Sequence, residues 1–163
     1  MLSAFAIAVA IGALLFHQRV VDLEKWMLLF AVLFAAVGYL GFAVSNGHLN
    51  FVADGWIQGF WFTSTVAFIA VAILSYHPFY GFFGRRDIRI WVSIIVMFFL
   101  TGALVNIWIS IVFTYLILVV AFVAGLFIGF LVQSYLFSYC SRFQWLPYVP
   151  LLFLVFASTG KLL

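Results

Sequence analysis

The chain has 163 residues, 69% of them hydrophobic and 7% charged, with a formal net charge of +3; ordinary soluble domains carry about 25% charged residues. That composition excludes a water-soluble exterior and points to an all-α, polytopic bundle solvated by lipid, one domain over residues 1–163. The basic residues are too few and too scattered to neutralise a run of phosphates, which excludes a nucleic-acid partner.

A hydrocarbon core of about 30 Å requires roughly 20 helical residues, and each apolar run is measured against that length. The first predicted span covers residues 2–21. It resembles a signal peptide in length but lacks a basic n-region, so it is read as a membrane helix, with Arg19 reaching the headgroups. Asp22, Glu24 and Lys25 form a turn. The second span, 26–44, opens on Trp26 and closes at the polar cluster Ser45, Asn46, Gly47 and His48. Asp54 is expected to cap the third span, 55–76, which Pro78 ends.

A basic loop with Arg85, Arg86, Asp87 and Arg89 follows, and then no ionisable acid, base or histidine occurs from Ile90 to Ser141. One helix of that length would extend about 78 Å, so the segment must fold back. The expected reversal is Asn106, giving a fourth span, 88–105, and a fifth, 108–133, joined by a very tight hairpin. A sixth segment, 144–159, carries Pro147 and Pro150 near its start. Six spans are expected, with five plus an interfacial tail as the alternative. Arg19 and Lys25 follow the first span, Arg85, Arg86 and Arg89 the third, and Arg142 the fifth. Basic loops lie on the inner side, so this alternation puts the N-terminus outside, with Lys161 as a minor exception.

Small residues recur every fourth position at Ala4, Ala8 and Gly12, and again at Ala121, Gly125 and Gly129. Such stripes form packing seams, facing either another helix of this chain or a partner. His17 and His77 end the first and third spans at similar depth, where a pair of imidazoles is the arrangement a b-type haem needs. The plainer reading is two interfacial histidines, and no cofactor is required by the sequence. His48 has no evident partner, and the single Cys140 excludes an intramolecular disulfide or a cysteine metal centre. Gln58, Thr65, Thr101 and Asn106 are candidate cavity-lining residues; the competing reading is hydroxyls bonded to their own helices.

No charge is expected at mid-depth, which argues against proton pumping by this chain alone. The six tryptophans are read as interfacial anchors, and phenylalanines such as Phe98 and Phe99 as surface offered to lipid, pigment or a neighbouring helix. Nucleophile elbows, phosphate loops and metal-binding helix motifs are missing from the sequence, so no enzyme is expected. The expected role is a small non-catalytic subunit that scaffolds a larger respiratory, photosynthetic or similar complex, with other membrane subunits and lipids as partners. The expected location is a bacterial or archaeal cytoplasmic membrane or an organellar inner membrane. A compact transporter or substrate-binding module is the alternative, and a haem-binding redox subunit the second alternative.

Overall fold

A computed structural model describes residues 2–16, 22–48, 54–76, 81–83, 88–105, 111–140 and 145–162. Among them it is all-helical: α1 (Leu2–Phe16), α2 (Leu23–His48), α3 (Asp54–Ser75), α4 (Ile88–Ala103), α5 (Ile111–Cys140) and α6 (Val149–Leu162), with a 3-10 turn over Leu146–Tyr148. Three helices are long and apolar enough to cross a membrane, within α2, α3 and α5; α1, α4 and the segment Leu146–Gly160 are apolar but shorter. The charge-free stretch does fold back, because helix ends at Ala103 and resumes at Ile111. Asn106 lies outside the described residues. Helix α5 runs past the predicted end at residue 133 to Cys140, since no helix breaker interrupts it.

Packing follows small residues rather than chain order. Helix α1 lies along α5, α2 along α4, α3 against α4 and α6, and α6 against α1. Helices α4 and α5, although joined by a short segment, are not principal neighbours; the edge-to-face pair Phe98 and Phe122 links them at 5.3 Å. Almost every side chain of α1 is buried, from Ala4 to Leu15, so this helix forms the centre of the bundle.

The contacts fix relative directions. Phe16 of α1 meets Phe130 and Phe137 of α5, while Val9 meets Gly129 and Ala8 meets Gly125, so these helices run parallel. Helices α2 and α4 also run parallel, through Trp26 with Trp91, Phe34 with Phe98 and Gly38 with Gly102. Helix α3 is antiparallel to α4, its early Trp61 bonding the late Thr101. Helices α2 and α5 are antiparallel through Tyr39 with Tyr115 and Phe34 with Phe122. Tyr148, just before α6, packs on Tyr76, just after α3. The six helices therefore alternate in direction, with Phe16, Leu23, Ser75, Ile88, Cys140 and Val149 at one end.

These contacts also map onto one another. The register that carries Gly12-Ala13-Leu14 onto Gly102-Ala103-Leu104 carries Ser3 onto Ser93 and Val9 onto Phe99. A second register carries Gly41-Phe42 onto Gly129-Phe130, Val44 onto Val132, Phe34 onto Phe122 and Gly38 onto Leu126. Under both, the approach of Gly12 to Leu126 becomes that of Gly102 to Gly38, and Gly129 against Val9 becomes Gly41 against Phe99. Helix α1 on α5 thus matches α4 on α2, and α1 on α6 matches α4 on α3. Phe34 and Phe122 are each other's equivalents and stack face to face, 4.0 Å apart with ring planes 4° from parallel. They mark a pseudo-two-fold axis relating α1–α3 to α4–α6 in opposite orientations, an inverted three-helix repeat.

At four of these glycines a Cβ would overlap a facing backbone carbonyl: Gly12 on Leu126, Gly129 on Val9, Gly41 on Phe99 and Gly102 on Gly38. Gly41→Val and Gly129→Val are therefore expected to destabilise the bundle by similar amounts, about 1–3 kcal/mol each. Gly59→Ala, in open space, should be near neutral; thermal unfolding in detergent measures all three.

Candidate functional site

The interior holds six buried polar side chains among the described residues: Ser3, Thr65, Thr101, Thr114, Gln133 and Ser158. Thr65 donates to the Trp61 carbonyl at 2.9 Å and Thr101 to the Met97 carbonyl at 2.6 Å. Thr101 also accepts the indole N–H of Trp61 at 3.0 Å, a buried link between α3 and α4. Gln133 donates to the Leu146 carbonyl at 3.0 Å, fastening α5 to the turn before α6. Ser158 donates to the Val155 carbonyl, and Ser3 and Thr114 have partners as well. A buried hydroxyl or amide without a partner costs about 1–3 kcal/mol, and these groups avoid that cost within the chain.

Of the candidate cavity-lining residues, Thr65 and Thr101 meet at Trp61, Thr65 bonding its carbonyl and Thr101 its indole N–H. Thr65 and Thr101 are fully buried in helix contacts, Gln58 is half-buried on the first turns of α3, and Asn106 lies outside the described residues. Trp61 differs from its reading as an interfacial anchor: it is 3% exposed, because its indole is held between α3 and α4. Phe98 differs too. It is wholly buried and packs edge-on against Phe34 and Phe122 at the pseudo-two-fold axis, where its small repeat equivalent Ala8 leaves room for α5. Trp56 and Trp145 are strongly exposed.

Both small-residue stripes lie in the bundle interior. Ala4, Ala8 and Gly12 sit on α1, and Gly125 and Gly129 face them from α5, with Ala121 half-buried on the same helix. His17 and His77 lie outside the described residues, as do the side chains of His48, Asp54 and Cys140. Among the described residues, no group of three histidine, cysteine or acidic side chains is placed to hold a metal ion.

Two surface grooves stand out among the described residues. One, of about 560 Å³, lies between α3 and α4, lined by Phe60, Thr63, Ala67, Arg89, Val92 and Ser93; the hydroxyls of Thr63 and Ser93 bond to the Gly59 and Ile90 carbonyls. The other, of about 690 Å³, lies between α2 and α5 and is apolar except for Glu24 at its mouth. Its residues carry no motif. The signal that leads to it is the recurrence of Gly-Ala-Leu and Gly-Phe-x-Val, which relates one half of the chain to the other. At the Leu23 end of the bundle, Trp26, Phe30, Phe83 and Trp91 form an aromatic cluster. Phe82 and Phe83 enter it or the adjoining tyrosine pair from a turn where Gly81 has φ 67°, a left-handed conformation that favours glycine.

Comparison with protein-family models, curated proteins and solved structures finds no match.

The Trp61–Thr101 contact is the main polar tie between α3 and α4. Trp61→Phe and Thr101→Val, combined in a double-mutant cycle, are expected to show a coupling of about 0.6 kcal/mol, with an upper bound near 1.7 kcal/mol. Unfolding monitored by tryptophan-independent circular dichroism measures it.

Proposed function

We propose that this chain is a six-span protein of a cytoplasmic or organellar inner membrane, its first helix starting on the outer side, that serves as a non-catalytic subunit packed within a larger membrane assembly. The alternating helix directions support the six spans. Lys25 and Arg89 begin α2 and α4 at the same end of the bundle, which supports the orientation. The shorter helices are accommodated because α1 is enclosed by its neighbours, while modest mismatch at α4 and α6 is met by tilt or local thinning of the bilayer.

The observation that carries the role is the contrast between interior and exterior. Inside, each buried polar side chain among the described residues has a partner within the chain. Outside, α2, α3 and α5 present large apolar side chains, among them Leu28, Leu40, Phe60, Leu74, Leu116 and Leu131. Such surface is covered by lipid tails or by other membrane helices. A second reading, a compact transporter, is favoured by the inverted repeat, since many carriers are built from such halves. The scaffold reading ranks first because the repeat interface holds stacked phenylalanines rather than a polar site.

Mild-detergent purification from the native membrane is expected to yield the chain in a larger assembly with defined stoichiometry; a lone monomer with saturable metabolite binding would establish the transporter instead. The orientation is tested with single cysteines in a Cys140→Ser background. A membrane-impermeant maleimide should label Gly55→Cys in intact cells and Lys25→Cys only after permeabilisation. The reverse pattern inverts the topology, and equal labelling of both sites removes the span between them.

A further inference from the structure

The inverted repeat provides an internal control for the groove between α2 and α5. These two helices cross at the pseudo-two-fold axis marked by Phe34 and Phe122, so the seam on one side of the axis should resemble the seam on the other. It does not. Towards the Ile111 end, Tyr115 fills the seam: its hydroxyl donates to the Ala35 carbonyl at 2.5 Å and lies 3.3 Å from that of Phe34, and its ring packs on Tyr39 and Phe42. Towards the Leu23 end, the equivalent of Tyr115 is Met27, which has neither the ring nor the hydroxyl. There the groove of about 690 Å³ opens, bounded by Met27, Ala31, Val119, Val123 and Phe127. The same helices cross in both places, so the opening goes with the side chains that differ: Met27 and Leu126 stand here where Tyr115 lies over Gly38 at the other end.

We propose that this groove holds one acyl chain of an amine-headed phospholipid, drawn from the leaflet at the Leu23 end, with the lipid ammonium on Glu24. The proposal rests on the membrane placement given above and on no particular assembly partner. Three observations select the occupant. Depth is the first: the groove follows α2 from Leu23 to Ala35, about 18 Å at the helical rise, close to the roughly 15 Å of one leaflet's hydrocarbon. Lining is the second. The walls are apolar and open sideways, and an apolar surface in lipid loses its dispersion contacts unless tails fill it.

Charge is the third. Glu24 stands exposed at the mouth, where the neighbouring Lys25 is already engaged by Asp22 at 2.9 Å. Among the described residues no cation pairs with Glu24, and the repeat equivalent of Glu24 is the uncharged Val112. Glu24 and the open groove therefore occur together at the Leu23 end, while at the equivalent positions of the other end stand Val112 and the seam-filling Tyr115. A carboxylate at headgroup level attracts an ammonium and repels an anionic headgroup.

The test uses the full chain in nanodiscs of equal phosphatidylethanolamine and phosphatidylglycerol with matched chains. Surrounding lipid is then stripped by detergent exchange, and retained lipid is counted by native mass spectrometry. About one phosphatidylethanolamine per chain is expected to remain. Met27→Tyr, which places at this end the residue the repeat carries at the other, should lose it while the unfolding temperature holds or rises. Glu24→Gln, at an exposed site, should retain a lipid but lose a headgroup preference of about two- to fivefold, the range of an exposed ion pair.

The proposal is overturned if the unaltered chain retains no lipid, if phosphatidylglycerol is retained as well as phosphatidylethanolamine and Glu24→Gln changes nothing, or if folded Met27→Tyr retains as much lipid as the unaltered chain. Alkaline carbonate extraction of the native membrane separates the two levels. Release of the chain by carbonate removes the membrane placement itself. A carbonate-resistant chain that retains no lipid overturns the groove alone.

Discussion

Close backbone approach at glycine is the constraint on which the rest of this structure depends. Within lipid, tails are as apolar as leucine, so burial of greasy side chains gives helices little reason to prefer one another over solvent; packing contact and weak polar contacts decide. Gly12 and Gly129 let α1 and α5 meet backbone to backbone, and Gly41 and Gly102 do the same for α2 and α4. Both pairs are parallel, so neither can be formed by helices adjacent in an up-and-down chain. The pairing of first with fifth and second with fourth helix then forces the remaining elements into place. Helix α3 closes against α4 and α6, and α6 against α1.

That arrangement is one half applied twice. Because Gly12 and Gly102 are equivalent, as are Gly41 and Gly129, the two parallel seams are a single solution used in opposite orientations. An odd number of helices per half makes this inversion unavoidable: a three-helix unit that finishes at the opposite end of the bundle from its start sets its copy upside down. The axis falls on stacked aromatic rings, Phe34 on Phe122, flanked by Phe98. These rings fill the repeat interface, where inverted-repeat carriers commonly place a binding site. The departures from symmetry are consequently informative. Trp61 bonded to Thr101 ties α3 to α4, while Thr101's equivalent in α1 is Ile11; Tyr115 closes one side of the α2/α5 seam and Met27 leaves the other open.

Much of the fold was legible in the residues, and for a definite reason. Charge and hydropathy vary along one dimension, so the existence of α2, α3 and α5, the bounds of α3 and the break between Ala103 and Ile111 could be placed by counting, whereas the extension of α5 to Cys140 could not. The stripes at Ala4, Ala8 and Gly12 and at Gly125 and Gly129 were also visible, since a recurrence at every fourth position needs no tertiary information. Their destination was not: a stripe identifies a face that admits a close neighbour without naming the neighbour. Trp61 and Phe98 were misjudged on the same ground. Their positions in the chain place them at a helix end and on a greasy run, but which azimuth of the helix faces inward depends on the other helices.

The chain by itself determined that it is helical, that it belongs in lipid, and roughly where it turns, because backbone groups in hydrocarbon must satisfy themselves within each segment and every segment answers separately to that demand. Only the tertiary structure decided which helices touch, that the two halves are inverted copies, and that one end of the α2/α5 seam is filled while the other is open. Those outcomes depend on the relative rotation and crossing of helices far apart in sequence. Among nearly uniform apolar surfaces, that choice is made by a few glycines.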